Sequence, residues 1–435
     1  MSDRWLYGWG LGSVALGGAS LVVPLYAVDL GGGPFVLGLL AAVAALVGVP
    51  GALGAGRIAD RTGNYRLLLV GTLVLIAGAI AVIPLLESVT PVILANGVLW
   101  FAFAAATPVV TLLAVVDAPA EAWSERIALL NKYQGIGWAV GLFVGSVWTG
   151  FGTRLLAPEL VIRSLFVPLA VAAALGLLWS GRTLPADPPA QQRISGDRLR
   201  RALQRANRFS VRSATFPFTV SRADFREFHP RRFVDRFSPT LALYFLAVCL
   251  CFAGFAAFFA PLPAFLADAG YGSDGIFALY LINSLAAAAV FGPTGRLSAK
   301  WGAELVQIVG LSVRSLAFSL VVVVDLALGA TAFGFGIAAA VFALIGVTWA
   351  IIAVTASTLV TELAPVTIRG EALGMYAALS ALAGGVGSLL GGWLAAGSYL
   401  VAFGAAGGLV FGGAVTVVFV RRRTVVDRNT ARTPA

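Results

Sequence analysis

Residues 56–66 read GRIADRTGNYR, with Gly56 and Gly63 bracketing Asp60 and with arginines at 57, 61 and 66. The stretch lies between two long apolar runs. Charge at this density is costly inside hydrocarbon, so the segment reads as a turn at a membrane surface and its flanks as spanning helices.

The rest of the chain agrees with that reading. Of 435 residues, 59% are hydrophobic and 11% charged, with a mean hydropathy of +0.91. Soluble domains carry about 25% charged residues, so the solvent here is largely lipid. A spanning helix needs about 20 apolar residues. Twelve runs qualify: 5–28, 34–56, 67–86, 91–116, 126–150, 161–180, 239–267, 274–297, 303–326, 331–359, 369–396 and 399–420. Helices are required because an open strand edge finds no hydrogen-bond partner in lipid. The first run has no strongly basic preface and is long enough to span, so it reads as a helix and not as a cleaved signal.

The net charge of +10 sits between apolar runs, a topology signal and not a nucleic-acid groove. Alternate loops carry Arg57, Arg61 and Arg66, then Arg126, a long central segment, Arg296 with Lys300, and Arg369; Arg421, Arg422 and Arg423 follow the last run. Asp29, Glu87, Asp268, Asp274 and Asp325 mark the opposite side, with Arg154 and Arg163 as exceptions. Both termini are therefore expected in the cytoplasm of a cell-membrane protein. Cys249 and Cys251 point to nearly opposite sides of one helix and read as packing residues.

Residues 181–237 carry thirteen arginines against five acidic residues and separate six helices from six. Within them, Leu199, Leu203 and Ala206 share a helical face ringed by arginine. That pattern fits a helix lying on an anionic leaflet; a solvated linker is the open alternative. The expected organisation is an N-terminal bundle at 1–180, a basic cytoplasmic linker at 181–237, a C-terminal bundle at 238–420 and a cytoplasmic tail at 421–435.

The opening stretch recurs. GRIADRTG at 56–63 is echoed by GRLSAKWG at 295–302: Gly56 matches Gly295, Arg57 matches Arg296, Arg61 matches Lys300 and Gly63 matches Gly302, at an offset of 295 − 56 = 239. ERIALLNKYQGIGWAVG at 125–141 is echoed at 368–384, with Arg126 matching Arg369 and Tyr133 matching Tyr376, at 369 − 126 = 243. Two echoes at nearly one offset make helices one to six and seven to twelve parallel copies, a known transporter architecture.

With these residues in view, the chain resembles a major facilitator superfamily transporter over essentially its whole length. The family's signature between helices two and three is Gly-x-Leu-x-Asp-Arg-x-Gly with later basic residues. Gly56, Asp60, Arg61 and Gly63 match it, Ile58 replaces the leucine, Arg66 keeps one basic position, and Asn64 and Tyr65 depart. The resemblance implies an all-α membrane fold of two six-helix repeats. It also implies a latch between the bundles, formed by Asp60 with Gly56, Arg61, Gly63 and Arg66 and echoed by Gly295, Arg296, Lys300 and Gly302. An aspartate suits the exposed N–H groups of a helix start. Ala299 stands opposite Asp60 in the repeat, so the expected latch is one-sided.

The resemblance further implies that helices one, four, seven and ten line the central cavity. Tyr26, Asn96, Trp100, Thr107, Thr348, Trp349 and Thr355 are the candidates there, with Lys132 of helix five. An apolar, aromatic wall with scattered hydroxyls suits a lipophilic or amphipathic molecule better than a sugar or phosphate. Lys132 reads either as an anion or proton site or as a side chain reaching back to the surface. Arg314, near the middle of helix nine, reads as a structural pairing between helices. Asp29, Asp117, Arg126, Arg314, Arg369 and Glu371 are the gating or coupling candidates. Helix four has no arginine and helix five no proline, both of which drug–proton antiporters of the superfamily often carry.

The function expected is secondary active transport of a lipophilic or amphipathic small molecule across the cytoplasmic membrane, with efflux by proton antiport as the direction taken forward. Uptake of an organic anion or other metabolite, with Lys132 or Arg314 as charge partner, is the alternative. A transporter-like membrane sensor is the alternative from another class. No HExxH, GxSxG or metal-ligand spacing is present and the lone histidine, His229, lies in the linker, so neither an enzyme, a cofactor nor a metal is expected. The expected partners are the small-molecule substrate, membrane lipids and protons as coupling ion, with no nucleic acid, and the chain reads as a monomer.

Overall fold

A computed structural model describes residues 4–115, 122–184, 237–365 and 368–430. Asp117, His229 and the amphipathic segment of the linker lie outside this set, as do the side chains of Asp60 and Arg61.

The described residues form helices throughout, and twelve of the resulting segments are long and apolar enough to span a membrane. In chain order these are α1 (Trp5–Asp29), α2 (Pro34–Thr62), α3 (Tyr65–Val82), α4 (Val89–Val115), α5 (Trp123–Leu155) and α6 (Pro158–Thr183). The second set is α7 (Pro239–Asp268), α8 (Ser273–Trp301), α9 (Ala303–Leu328), α10 (Ala332–Leu363), α11 (Arg369–Gly397) and α12 (Tyr399–Thr430). The span α7 comprises two helical pieces, Pro239–Phe259 and Leu262–Asp268. The break falls at Pro261, which lacks the N–H that would continue the ladder. Several helices outrun the apolar runs: α5 extends to Leu155, α10 to Leu363 and α12 past Val420 to Thr430. α2 continues to Thr62 and α8 to Trp301, so the charged stretch read as a turn is mostly the last turns of a helix, which place its arginines at the end of the span.

The repeat seen in the sequence is repeated in packing. In the first six helices α1 packs on α5 and α6, α4 on α2 and α3, and α3 on α6. In the second six α7 packs on α11 and α12, α10 on α8 and α9, and α9 on α12. Every pair is the first set's pair moved on by six. The two bundles meet through α2 against α11 and α5 against α8, which exchange under the same operation.

The two echoed turns also share a backbone feature. Gly63 ends α2 at φ 68° and Gly302 ends α8 at φ 84°. The Gly63 N–H donates to Ala59 O at 2.9 Å and the Gly302 N–H to Ser298 O at 3.0 Å. A side chain at either would be strained, which is why glycine stands at both.

Within each bundle the central helices touch backbone to backbone. A Cβ at Gly137 would collide with Gly10 O, one at Gly141 with Val14 O, and one at Gly17 with the Trp138 backbone. In the second bundle Gly387 abuts the backbone of Ala253, and Gly391 that of Ala257. Lipid tails are as apolar as leucine, so such close approach supplies the attraction that burial supplies in water. Gly141→Val and Gly391→Val are each expected to destabilise the fold by on the order of 1–3 kcal/mol, the usual cost of overpacking. The measurement is the thermal midpoint in detergent. Gly397, around which a Cβ meets nothing within 4 Å, serves as the control position for the same substitution.

Candidate functional site

The face bearing the start of α1 and the end of α12 is called here the terminal face and the other the distal face. The central helices differ sharply between the two. Every residue from Ala15 to Ala27 in α1 and from Gly254 to Leu266 in α7 is buried. Nearer the terminal face, Tyr7, Gly10, Leu11 and Val14 of α1 and Ala242, Leu246, Cys249 and Ala253 of α7 are partly or fully exposed.

Bundle-to-bundle contacts match this asymmetry. Near the distal face Gly38 of α2 lies against Ser388 and Gly392 of α11, and Gly145 of α5 against the ring of Phe277 in α8. Ser146 Oγ donates to Asp274 O at 3.1 Å, linking α5 to α8. Ser146 and Asp274 also line a distal cavity of about 350 Å³ with Tyr271, Thr331 and Phe335. The distal half is thus closed, and the exposed halves of α1 and α7 place the open side of the cleft at the terminal face.

Two aromatic clusters occupy the bundle centres. In the first, Trp9 of α1 stacks on Phe103 of α4 with centroids 6.3 Å apart, and Trp100 and Trp138 close against Phe103. Trp9 Nε1 donates to Gln134 Oε1 at 3.2 Å and Trp100 Nε1 to Asn96 Oδ1 at 3.1 Å. In the second, Phe252 and Phe255 of α7 pack edge-on to Trp349 of α10, and Phe252 also meets Tyr376 of α11. Sequence reasoning had passed over Trp9 and Phe252. The signal was available, since 252 − 9 = 243 is the offset of the second echo.

Arg314 lies in the second cluster and is completely buried. Its Nη1 donates to Ile345 O at 2.8 Å and to Thr348 Oγ1 at 3.3 Å, both on α10. Its guanidinium carbon lies 4.6 Å from the Phe255 ring centre, 5.1 Å from Phe318, 5.5 Å from Trp349 and 5.6 Å from Phe259. Nε and Nη2 have no hydrogen-bond partner among the described residues, and neither has Trp349 Nε1.

The remaining candidates divide by position. Among the cavity candidates, Asn96, Trp100, Thr348, Trp349 and Thr355 are buried in the bundle interiors, and Thr107 is half-buried. Their hydroxyls are engaged within their own helices: Thr107 donates to Phe103 O, Thr355 to Ile351 O and Thr348 to Ile345 O. Tyr26 is pinned at the distal end, donating to Leu86 O at 2.7 Å. Lys132 is exposed and shares one stripe of α5 with exposed Ile136, Val140 and Phe143, an apolar row along which its stem can run so that the amine reaches the surface. Asp29 is exposed at the distal end of α1, Arg126 and Arg369 are half-buried at the terminal ends of α5 and α11, and Glu371 is buried.

Around the α2–α3 junction Gly56 and Gly63 are buried and Arg66 is exposed, with Arg66 Nη2 donating to Gly181 O at 2.7 Å. That bond ties the turn to the end of α6. In the echo Gly295, Arg296 and Lys300 are exposed, and Lys300 Nζ lies 5.6 Å from the Trp301 ring centre.

Comparison with known proteins agrees with this geometry. Residues 11–365 match the family model of the Major Facilitator Superfamily. No curated protein matches the chain. Among solved structures, the nucleoside transporter NupG superposes with a TM-score of 0.68 at 15% identity, covering 97% of this chain and 99% of that one. A POT family transporter in complex with a thioalcohol-conjugated peptide gives 0.68 at 12% identity, covering 97% and 96%. The human organic anion transporter MFSD10 gives 0.58 at 16% identity, covering 95% and 98%. The chain belongs to the major facilitator superfamily and is a secondary transporter of twelve spans, not an enzyme. Similarity at these identities speaks to fold alone.

The distal contact makes a direct prediction. A Cβ on Gly150 of α5 would lie 3.5 Å from Asp274 Cβ, so cysteines introduced at Gly150 and Asp274, with Cys249 and Cys251 replaced by serine, are expected to form a disulfide under mild oxidation of the substrate-free protein. Flux should stop on oxidation and return on reduction. Retention of full flux in the cross-linked protein would show that the two helices need not part at this point.

Proposed function

We propose that the chain carries a lipophilic or amphipathic small molecule across the cytoplasmic membrane by alternating access, with efflux in exchange for protons as its direction. The observation that carries this reading is the pairing of buried distal halves with exposed terminal halves in α1 and α7. That is one of the two states a rocking-bundle carrier must visit. The excess of arginine on the terminal side supports a cytoplasmic terminal face, so the cleft described is the inward-facing one.

The aromatic clusters around Trp100 and Trp349 support a cargo with an apolar body, because lipophilic sites offer ring faces and few fixed polar groups. When the cleft opens to the other side, the terminal-face turns take over. Asp60, carried on the last turns of α2 with Arg61 and followed by Arg66 at the start of α3, latches the bundles there, and Gly295, Arg296, Lys300 and Gly302 form the facing end of α8. Arg126, Arg369 and Glu371 belong to the same terminal-face network.

Purified protein in liposomes tests the proposal. A pH gradient should drive uphill movement of lipophilic cargo, and Asp60→Asn should cut flux at least about tenfold, the weight of one charge-assisted hydrogen bond, while expression is kept. Downhill movement only would replace antiport by facilitated diffusion. Saturable binding with no flux would turn the reading to a sensor.

A further inference from the structure

Arg314 is a cation deep in the C-terminal bundle with no carboxylate hydrogen-bonded to it among the described residues. Burying an unpaired charge costs several kcal/mol even after relaxation. Two bonds from Nη1 and four surrounding rings offset part of that cost, since a desolvated cation–π contact contributes about 2 kcal/mol. Three donors in the same cluster are left open: Arg314 Nε, Arg314 Nη2 and Trp349 Nε1. A cluster composed of donors and one positive charge is complementary to an anion.

A purely structural role accounts for Nη1, which ties α9 to α10, but not for the other nitrogens. The first bundle shows how little that packing requires. The two echo offsets, 239 and 243, set Arg314 against Leu75 and Gly71 of α3, and Phe255 falls opposite Gly12 at 255 − 12 = 243. Residues 71–75 carry no charge, so the first bundle packs its corresponding helix without one. Packing alone does not call for the charge.

The cage also leads outward. Arg314 lies against Trp349, Trp349 against Phe252 at 6.3 Å between centroids, and Phe252 against Tyr376 at 5.9 Å. Tyr376 is half-exposed, so this file of rings joins the buried cation to accessible surface. We propose that Arg314 and Trp349 Nε1 form the anion-recognition subsite of the cargo, which is an amphipathic organic anion carrying a carboxylate on an apolar body. The rings hold the guanidinium while the subsite is empty. A carboxylate arriving along the file displaces the Trp349 ring edge and takes Nε and Nη2 as a bidentate pair, a stronger arrangement than any ring face. The proposal rests on the transport reading and adds the chemical class of the cargo.

The test compares 8-bromooctanoate with its neutral counterpart 8-bromooctan-1-ol, the bromine quenching tryptophan fluorescence in the purified protein. Saturable quenching is expected with the carboxylate favoured at least about tenfold, as for one charge-assisted bond. Arg314→Gln should abolish that preference, leaving the two ligands equal. Trp349→Phe, which keeps the ring and removes one donor, should weaken the carboxylate about fivefold and leave the alcohol unchanged; it serves where the arginine variant does not fold. Equal affinities in the unaltered protein, or a preference that survives in Arg314→Gln, would overturn the assignment. So would displacement of the carboxylate by phosphatidylglycerol, which would give the subsite to a lipid headgroup. Liposome flux keeps the two readings apart: carboxylate preference at Arg314 without flux sinks transport alone, and flux of neutral cargo without that preference sinks the anion subsite alone.

Discussion

In hydrocarbon, helices gain nothing by exchanging lipid for leucine, so what holds this protein together is how closely backbones can approach. The glycines at 17, 137 and 141 in the first bundle and at 387 and 391 in the second set that distance. At each of them a single methyl would strike a neighbouring backbone. The rest of the architecture follows from these contacts. Because α1 and α7 are held so tightly to α5 and α11, each bundle can move as a unit, and the freedom left to the molecule lies between bundles. There the contacts are fewer in kind, and those named, from Gly38 to Gly392 and from Gly145 to Phe277, gather toward one face.

Symmetry organises the scaffold, and departures from it mark chemistry. The helix pairs of one half recur in the other, and the glycines that end α2 and α8, Gly63 and Gly302, both have positive φ. Against that background, Arg314 in α9, where the corresponding residues 71–75 of α3 are uncharged, and Phe255, where the first half has Gly12, are changes of kind. A duplicated fold can keep one half for packing and let the other acquire charge. The buried arginine is therefore better understood by comparing halves than by asking what it touches.

Much of the fold was legible before any coordinates. Twelve apolar runs, the alternation of arginine-rich turns and the two echoes led to twelve helices in two matching sets. The site was less so. Lys132 and Arg314 look alike in the sequence, each a lone cation in an apolar run, yet one lies on the same stripe as Ile136 and Phe143 and the other is sealed among four rings. Hydroxyls such as Thr107 and Thr355, attractive as cavity contacts, donate to carbonyls of their own helices.

The division has a physical cause. Helix number, length and repeat are set by a local requirement, that each backbone amide in lipid be satisfied within its own segment, and apolar length records that directly in the sequence. Which face of a helix meets lipid, a neighbour or the cleft is set by contacts between residues far apart in the chain. Trp9 meets Gln134, Ser146 meets Asp274 and Arg314 meets Ile345, and no local pattern encodes those meetings. The sequence by itself therefore determined the membrane class, the duplicated scaffold and the signature turn. Only the tertiary structure decided which face is closed and that the one deeply buried cation described here stands without a counter-charge.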